Sequence, residues 1–498
     1  MRRTTTQRWG PRHRTDQAPG SGAVAVDRLS ALPDALLHHI MSFLKAWEAV
    51  PTCVLARRWR HLWESAPCVD LRLRYMSRDG DPPQEFCDFV HRLFLLRDVS
   101  APVDTLRLQP SDEDAGFNEE DASIWIRTAL KRKARVIHLA GHHKRAASLD
   151  GVPFVSCHLK ILKLSYARLD DSILRQLSAS CKSLKELDLK DCLVTGPGIV
   201  SASLKTLIML KCKFNLGFSI AAPNLVLLCL ITPYVQVPSF TDFGSLVTAT
   251  ILLDDHFLSN EFEHISDKDD CDETTDDDDN DDNMSYRIHD FGYGYGFPEE
   301  RYGHSRYKDN YNYGSDIDSD DNTYEYGEIA NDDNILGGHH MLESLSTATS
   351  LELLTDAGEV VLTRELRRCP TFSNLKTLSL GEWCMAADFD ALIFLLQHSP
   401  NIKRLFLQLK LNFSTRKALE TGIKLQGRPF TCKELRMVKI KCSKDDGRVH
   451  TLAHMFRANG IPLENIYVRR SRNAYLRGQK FMRDLAKQEL DECGDDWM

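Results

Sequence analysis

A six-residue word, L-x-x-L-x-L with other aliphatics standing in for leucine, recurs along most of this 498-residue chain and constrains its fold more than any other feature. It reads Val103, Leu106, Leu108; Ala134, Ile137, Leu139; Leu159, Leu162, Leu164; Leu184, Leu187, Leu189; Leu204, Leu207, Met209; Leu225, Leu228, Leu230; and Leu246, Ala249, Ile251. From Leu159 the first positions fall 25, 20, 21 and 21 residues apart. The last two aliphatics of each word share one face of a short strand, because side chains alternate along a strand. The rest of each unit must carry the chain back to the start of the next strand. A unit this small cannot bury its apolar edge alone, so the units must stack, each covering its neighbour.

Those periods are leucine-rich-repeat periods. After a gap the word resumes at Ala348, Leu351, Leu353; Leu375, Leu378, Leu380; Ile402, Leu405, Leu407; Leu435, Val438, Ile440; and Leu463, Ile466, Val468, with helical fillers such as 389–396. Cys192 and Cys212 each fall eight residues after the first Leu of their units. That spacing suits buried structural thiols rather than catalytic or metal-binding ones. Residues between the inward aliphatics point to the opposite, concave face. There the middle units place Ile208, Leu210, Leu227 and Ile231, and the later ones place Arg404, Phe406, Lys439, Lys441 and Arg469. Apolar side chains where water is expected mark an interface. The expectation is that Ile208, Leu210, Leu227, Ile231 and Phe406 hold a protein partner while the four cations steer an acidic part of it. The competing reading is that inserted loops or the N-terminal helices cover these positions.

The gap is an acidic block. Residues 254–333 carry 27 Asp and Glu against 5 Lys and Arg, so the net charge of -8 hides a remainder at +14. With almost no aliphatics, 254–338 cannot offset the entropy of ordering and reads as a disordered insertion, solvated or acting as an acidic interaction segment or folding back on the basic repeats. Its Asp runs lack the spacing of a calcium loop. The basic remainder lacks any nucleic-acid motif, and no nucleic-acid partner is expected. Fourteen cysteines without a C-x-x-C pair, and an Arg-rich start without an apolar core, suit a reducing compartment, with the nucleus and/or cytoplasm as the expected location. No run approaches a membrane span. Phosphate loops, nucleophile elbows and H-E-x-x-H are all missing, and the pairs His142-His143 and His339-His340 have no third ligand, so neither catalysis, cofactor nor metal is expected.

Residues 27–64 are of another kind. After Ser30 the Leu32-Pro33-Asp34 turn starts a helix carrying Leu36, Leu37, Ile40, Met41 and Leu44, and a second pattern carries Val54, Leu55, Trp59, Leu62 and Trp63, with Arg57, Arg58 and Arg60 outward. So short a segment cannot hide this much apolar surface. Its words D-R-L-S-A-L-P-D-A-L-L-H-H-I and C-V-L-A-R-R-W-R-H-L-W resemble the plant F-box pattern nearly end to end over 38 residues. The resemblance implies contact with a Skp adaptor through Leu32, Pro33, Leu36, Ile40, Val54, Leu55 and Trp59; the alternative is that these residues pack only on one another. Pro51 stands where the family shows a polar residue, and is expected at a helix start, where a missing N–H costs little. Residues 432–470 resemble the FBD region of many plant F-box proteins, as a strand, a helix and a strand.

The expected fold class is therefore α/β: a small helical F-box followed by a leucine-rich-repeat solenoid interrupted by a disordered acidic insertion. In order, the chain divides into a disordered leader (1–25), F-box (26–66), connecting helical segment (67–102), repeats (103–253), insertion (254–338), repeats continued (339–428), FBD-like end (429–470), and C-terminal helix and tail (471–498). What the resemblance implies is a non-catalytic substrate receptor of a Skp/cullin/F-box ubiquitin ligase, partnered by the Skp adaptor, through it a cullin, and an unknown substrate protein. Two rival readings are a repeat scaffold that works without ligase assembly, and a nuclear protein whose acidic residues 267–282 bind basic partners such as histones.

Overall fold

The computed structural model describes residues 27–72, 83–109, 119–142, 146–234, 236–241, 243–253, 337–355, 360–385, 389–409, 429–442 and 446–470. The expectations for the leader, for 254–336 of the insertion and for the tail from 471 lie outside these residues.

The repeats form one parallel sheet of 13 strands among the described residues. Its strands are β1 (Cys68–Arg72), β2 (Thr105–Gln109), β3 (Val136–Ala140), β4 (Ile161–Ser165), β5 (Glu186–Lys190), β6 (Thr206–Leu210) and β7 (Leu227–Ile231), followed by β8 (Thr248–Leu252), β9 (Ser350–Leu353), β10 (Thr377–Leu380), β11 (Arg404–Gln408), β12 (Met437–Cys442) and β13 (Ile466–Arg470). Strand order follows chain order throughout. The register puts the second aliphatic of every word in one unbroken row: Val69, Leu106, Ile137, Leu162, Leu187, Leu207, Leu228, Ala249, Leu351, Leu378, Leu405, Val438, Ile466. From Val69 to Val438 this row is buried in one continuous core.

Repeat length decides what backs the sheet. The unit of 25 residues beginning at Leu159 has room for a helix, Asp171–Ser180, whose N-cap Asp170 accepts a hydrogen bond from the Ile173 N–H. The units of 20 and 21 residues that follow do not, and short strands take its place. Ala147–Ser148, Ala167–Leu169, Leu193–Val194 and Lys213–Phe214 make one small parallel sheet, and Gly198–Val200, Ser219–Ala221 and Ser239–Thr241 another.

Each strand from β4 to β7 is followed directly by a residue in the left-handed region: Tyr166, Asp191, Lys211 and Thr232. None is a glycine, and a non-glycine residue there costs about 1–2 kcal/mol. The gain is one more rung of the ladder. The N–H of each donates to the carbonyl of the next strand's end, at Lys190, Leu210, Ile231 and Leu252. The turn sends the following residue inward, so Cys192 and Cys212 are buried, and their thiols reach the carbonyls of Leu164 and Leu189. Burial, and then the neighbouring Cys192, push the Cys212 thiol well above its ordinary range, as an inert structural role requires.

Three sequence expectations change. The sheet starts one strand early, inside the segment taken as connecting helix: Ala66, Val69 and Leu71 form a word that the helical pattern before them masks. Gly337 and Gly338 belong to the repeats, since Gly337 bridges Val237 and the Gly338 N–H donates to the Val237 carbonyl. At the other end, Leu463 and Val468 are exposed, because no described strand follows β13 to cover them. The last units show the expected strand, helix (Arg448–Ala458) and strand. The Arg448 guanidinium grips Glu382 at 2.5 Å and Asp446 at 2.7 Å, tying the start of this helix to the turn after β10. Burial alone would lower the Arg448 pKa; its bonds to the two carboxylates outweigh that and raise it.

A solenoid held by nearest neighbours should feel a single cavity sharply. Leu228→Ala, fully buried in the central row, is expected to cost about 2–5 kcal/mol in denaturant unfolding. The exposed Val200→Ala should stay within about 0.5 kcal/mol.

Candidate functional site

The N-terminal module is built from α1 (Asp34–Met41), α2 (Ala46–Ala49), 3₁₀ turns Val50–Val54 and Arg57–His61, and α3 (Leu62–Ser65). The second pattern is thus not one helix. The break falls at Ala56, which is extended at φ -156. Pro51 sits in the first turn of its 3₁₀ segment, where its missing N–H leaves little unsatisfied. Leu37, Met41, Trp59, Leu62 and Ala66 form a small core with Leu32, Ala49, Ala56 and Trp63 against it.

Trp59 is therefore a core residue, not a surface contact. It is 2% exposed and its indole N–H donates to the Ser30 hydroxyl at 3.1 Å, which locks the entry loop onto the module. Arg58 closes the same corner through Asp34 at 2.7 Å and the Ser30 carbonyl. Leu32 is half-buried. Pro33, Leu36 and Ile40 are exposed, as are Val54 at 82% and Leu55 at 64%. Phe43, which sequence reasoning did not single out, is 75% exposed and continues the Leu36, Ile40 spacing one turn on. Six large apolar or proline side chains thus face outward from a module whose own core needs none of them.

The module is fused to the repeats. Ala46 lies in the main core, and Trp63 packs against both cores. In α4 (Pro83–Leu96) and α5 (Glu119–Lys131), Phe86 and Trp125 continue an edge-to-face chain from Trp47, at 6.0 and 6.2 Å. The buried Arg97 donates to the Trp63 and Ala66 carbonyls at the C-terminal end of α3, and the Asp98 N–H donates to the Glu64 carbonyl. A cation suits the negative end of a helix. Burial first, and the nearby Arg132 second, hold the Arg97 guanidinium down at about 10.

On the face opposite the main core, register aligns Asp70, Arg107, His138, Lys163 and Asp188. Asp70 is buried and receives Arg72 at 2.7 Å and Arg107 at 3.4 Å, while Arg107 also reaches the Ser42 carbonyl of the module. Burial, then Lys163 and Arg107, push the His138 imidazole down to about 3, so it stays neutral between its cationic neighbours.

Further along, the expected open apolar patch is closed. Leu210 (3% exposed) and Ile231 (1%) stack with Cys229, Leu252 and Leu354 into a second apolar cluster, with Ile208 and Leu227 packed against it. Side chains in register on strands about 4.8 Å apart bury one another; a partner cannot displace what is already packed. The structure does not bring these four residues together with the basic group as one surface. Arg404, Lys439 and Arg469 are exposed on β11–β13, and Phe406 and Lys441 half-buried. Arg404 is oriented by Thr377, whose hydroxyl accepts from its Nη2 at 2.9 Å.

The structure thus joins a helical module with exposed apolar side chains to a parallel-strand array of leucine-rich repeats. Residues 29–69 match the family model described as the F-box domain. The chain is 30% identical to a putative FBD-associated F-box protein of Arabidopsis thaliana over 45% of its own length and 59% of the relative's. It is 32% identical to a meiotic F-box protein of Oryza sativa subsp. japonica over 46% of its length and 52% of the relative's. To an F-box/FBD/LRR-repeat protein of Arabidopsis thaliana it is 31% identical over 37% of its length and 44% of the relative's. The matched segments span about half the length of these relatives. The chain thus carries a segment matching the F-box domain and is similar to plant F-box proteins with leucine-rich repeats and FBD regions. Among the described residues no group of three His, Cys, Asp or Glu could hold a metal ion, and no helix is long and apolar enough to cross a membrane.

The lowered His138 pKa has a sign that can be checked. Unfolded, the imidazole takes a proton below its ordinary 6.5; folded, it does not until about 3. Its contribution to stability is therefore lost as pH falls across that window, because only the unfolded state binds the proton there. His138→Gln is expected to flatten the fall in unfolding free energy on acidification, read from denaturant melts at a series of pH values.

Proposed function

We propose that this chain is the non-catalytic substrate-recognition subunit of a Skp/cullin/F-box E3 ubiquitin ligase, acting in the nucleus, the cytoplasm or both. The observation that carries the reading is the exposure of Pro33, Leu36, Ile40, Phe43, Val54 and Leu55 on a module already satisfied internally by Leu37, Met41, Trp59 and Leu62. Large apolar side chains left outward in this number are offset only by a partner. The Skp adaptor is the proposed partner for these side chains, with the half-buried Leu32 beside Pro33, and a cullin joins through the adaptor. The substrate protein is held at the basic end of the repeat face, by Arg404, Phe406, Lys439, Lys441 and Arg469. The contribution of such a receptor is proximity: the target is held near a charged conjugating enzyme, at raised effective concentration, with no chemistry by the receptor.

The reading is tested by pulldown on a purified Skp adaptor. Leu36→Asp combined with Val54→Asp places two carboxylates among these exposed side chains and is expected to weaken capture by about 100-fold, since each apolar side chain buried is worth about 1.5–3 kcal/mol. Circular dichroism should be unchanged, because neither side chain enters the module's core. Adaptor capture that survived the double variant would sink the proposal.

A further inference from the structure

The last strand carries more than a basic patch. β13 is held on one edge by β12, in register from Val438 opposite Ile466 to Cys442 opposite Arg470, and no described strand pairs with its other edge. Tyr467, Val468, Arg469 and Arg470 are all exposed. Val468 stands opposite Ile440, which is fully buried, yet is itself 41% exposed. The apolar row of the sheet is thus left open at this end, beside a rail of backbone N–H and C=O groups that point away from β12.

Charge at this end has one sign. The three strands β11, β12 and β13 carry Arg404, Lys439, Lys441, Arg469 and Arg470 and no Asp or Glu. Four described acids near them in the chain lie off these strands: Glu382 and Asp446 hold Arg448, Glu434 reaches Arg436, and Glu464 sits in the 3₁₀ turn before β13. Earlier strands differ, since Lys163 on β4 meets Glu186 on β5. The same edge therefore offers main-chain hydrogen bonds, an apolar contact on one face and cations on the other.

We propose that this edge takes an extended acidic segment of the substrate protein as an added strand. This deepens the substrate-receptor reading and rests on it. Strand geometry fixes the chemistry of the occupant, because successive side chains alternate between faces. Every second residue is Asp or Glu, facing Lys439 and Arg469, and the residues between are apolar and extend the Val438, Ile440, Val468 side of the sheet.

The test uses the full-length chain and fluorescein-labelled peptides by anisotropy. The probes are a peptide of alternating Glu and Val, the same peptide with Lys for Glu, and the acidic peptide with the backbone amides of one edge N-methylated. A deoxythymidine oligonucleotide of equal length is the nucleic-acid arm. Saturable binding of the acidic peptide alone is expected, weakened about tenfold by Arg469→Glu or Lys439→Glu and unchanged by Arg175→Glu on the outer helix Asp171–Ser180. Binding that ignored Arg469→Glu, or survived N-methylation, would overturn strand addition; so would tighter binding of the oligonucleotide. Adaptor pulldown on the same samples separates the two readings. Failure to bind peptide with adaptor capture intact removes this inference only, whereas failure of adaptor capture by the unsubstituted chain removes the receptor reading.

Discussion

Every other feature of this protein depends on strands that bury their aliphatic pairs against the strand before, the strand after, and the helix or short strands that back them within the same units. The unbroken row from Val69 to Ile466 has no central nucleus; its cover is lateral and local. Such an array is as sound as its neighbour contacts, and its unmet demands collect at its two ends. The ends are treated differently here. The first strand is roofed by the helical module, through Ala46, Trp63 and the guanidinium of Arg97. The last strand, among the described residues, keeps Ile466 packed on the core but leaves Tyr467 and Val468 in water.

The N-terminal end is closed by polar groups as much as by apolar ones, and that choice has a physical reading. Burying Arg97 is costly unless its donors are met; its two terminal nitrogens donate to the Trp63 and Ala66 carbonyls, while its Nε finds no hydrogen-bond partner among the described residues. Replacing either side alone would strand the other. Asp70, Arg72 and Arg107 repeat the pattern one layer away, with Arg107 reaching across to Ser42. A buried ionic pair contributes little net stability, but it accepts few alternative geometries. The orientation of the N-terminal module on the array is set by such contacts.

The fold was legible because period and alternation are sequence properties: all twelve words found by spacing coincide with strands β2–β13. The first strand was missed although Ala66, Val69 and Leu71 fit the word, because a helical pattern ran up to it and claimed the same residues. The left-handed residues after β4–β7 gave no signal at all, since Tyr166, Asp191, Lys211 and Thr232 share no residue type and adopt that geometry for a ladder bond made elsewhere in the chain. The candidate surface was half legible. Alternation told which face Leu210 and Ile231 occupy, but not that Leu252 and Leu354 would close over the same level. Face is a local property, whereas burial depends on neighbours many residues away. Trp59 illustrates the same limit within the module, where a pattern of apolar residues does not say which of them look inward.

That second apolar cluster narrows where recognition can occur. It removes the middle of the face, and the Asp70 and Arg107 network removes the start, leaving the strands farthest from the docking module. Twelve strand steps of about 4.8 Å separate β1 from β13, a contour of roughly 58 Å along the sheet. A flexible tether of that reach would dilute its cargo over a large volume, whereas a hydrogen-bonded sheet anchored at Arg97 confines it to one direction. In the receptor proposed above, the stiffness of the leucine rows would be part of function: the interactions that fold the array would also fix where a target is held.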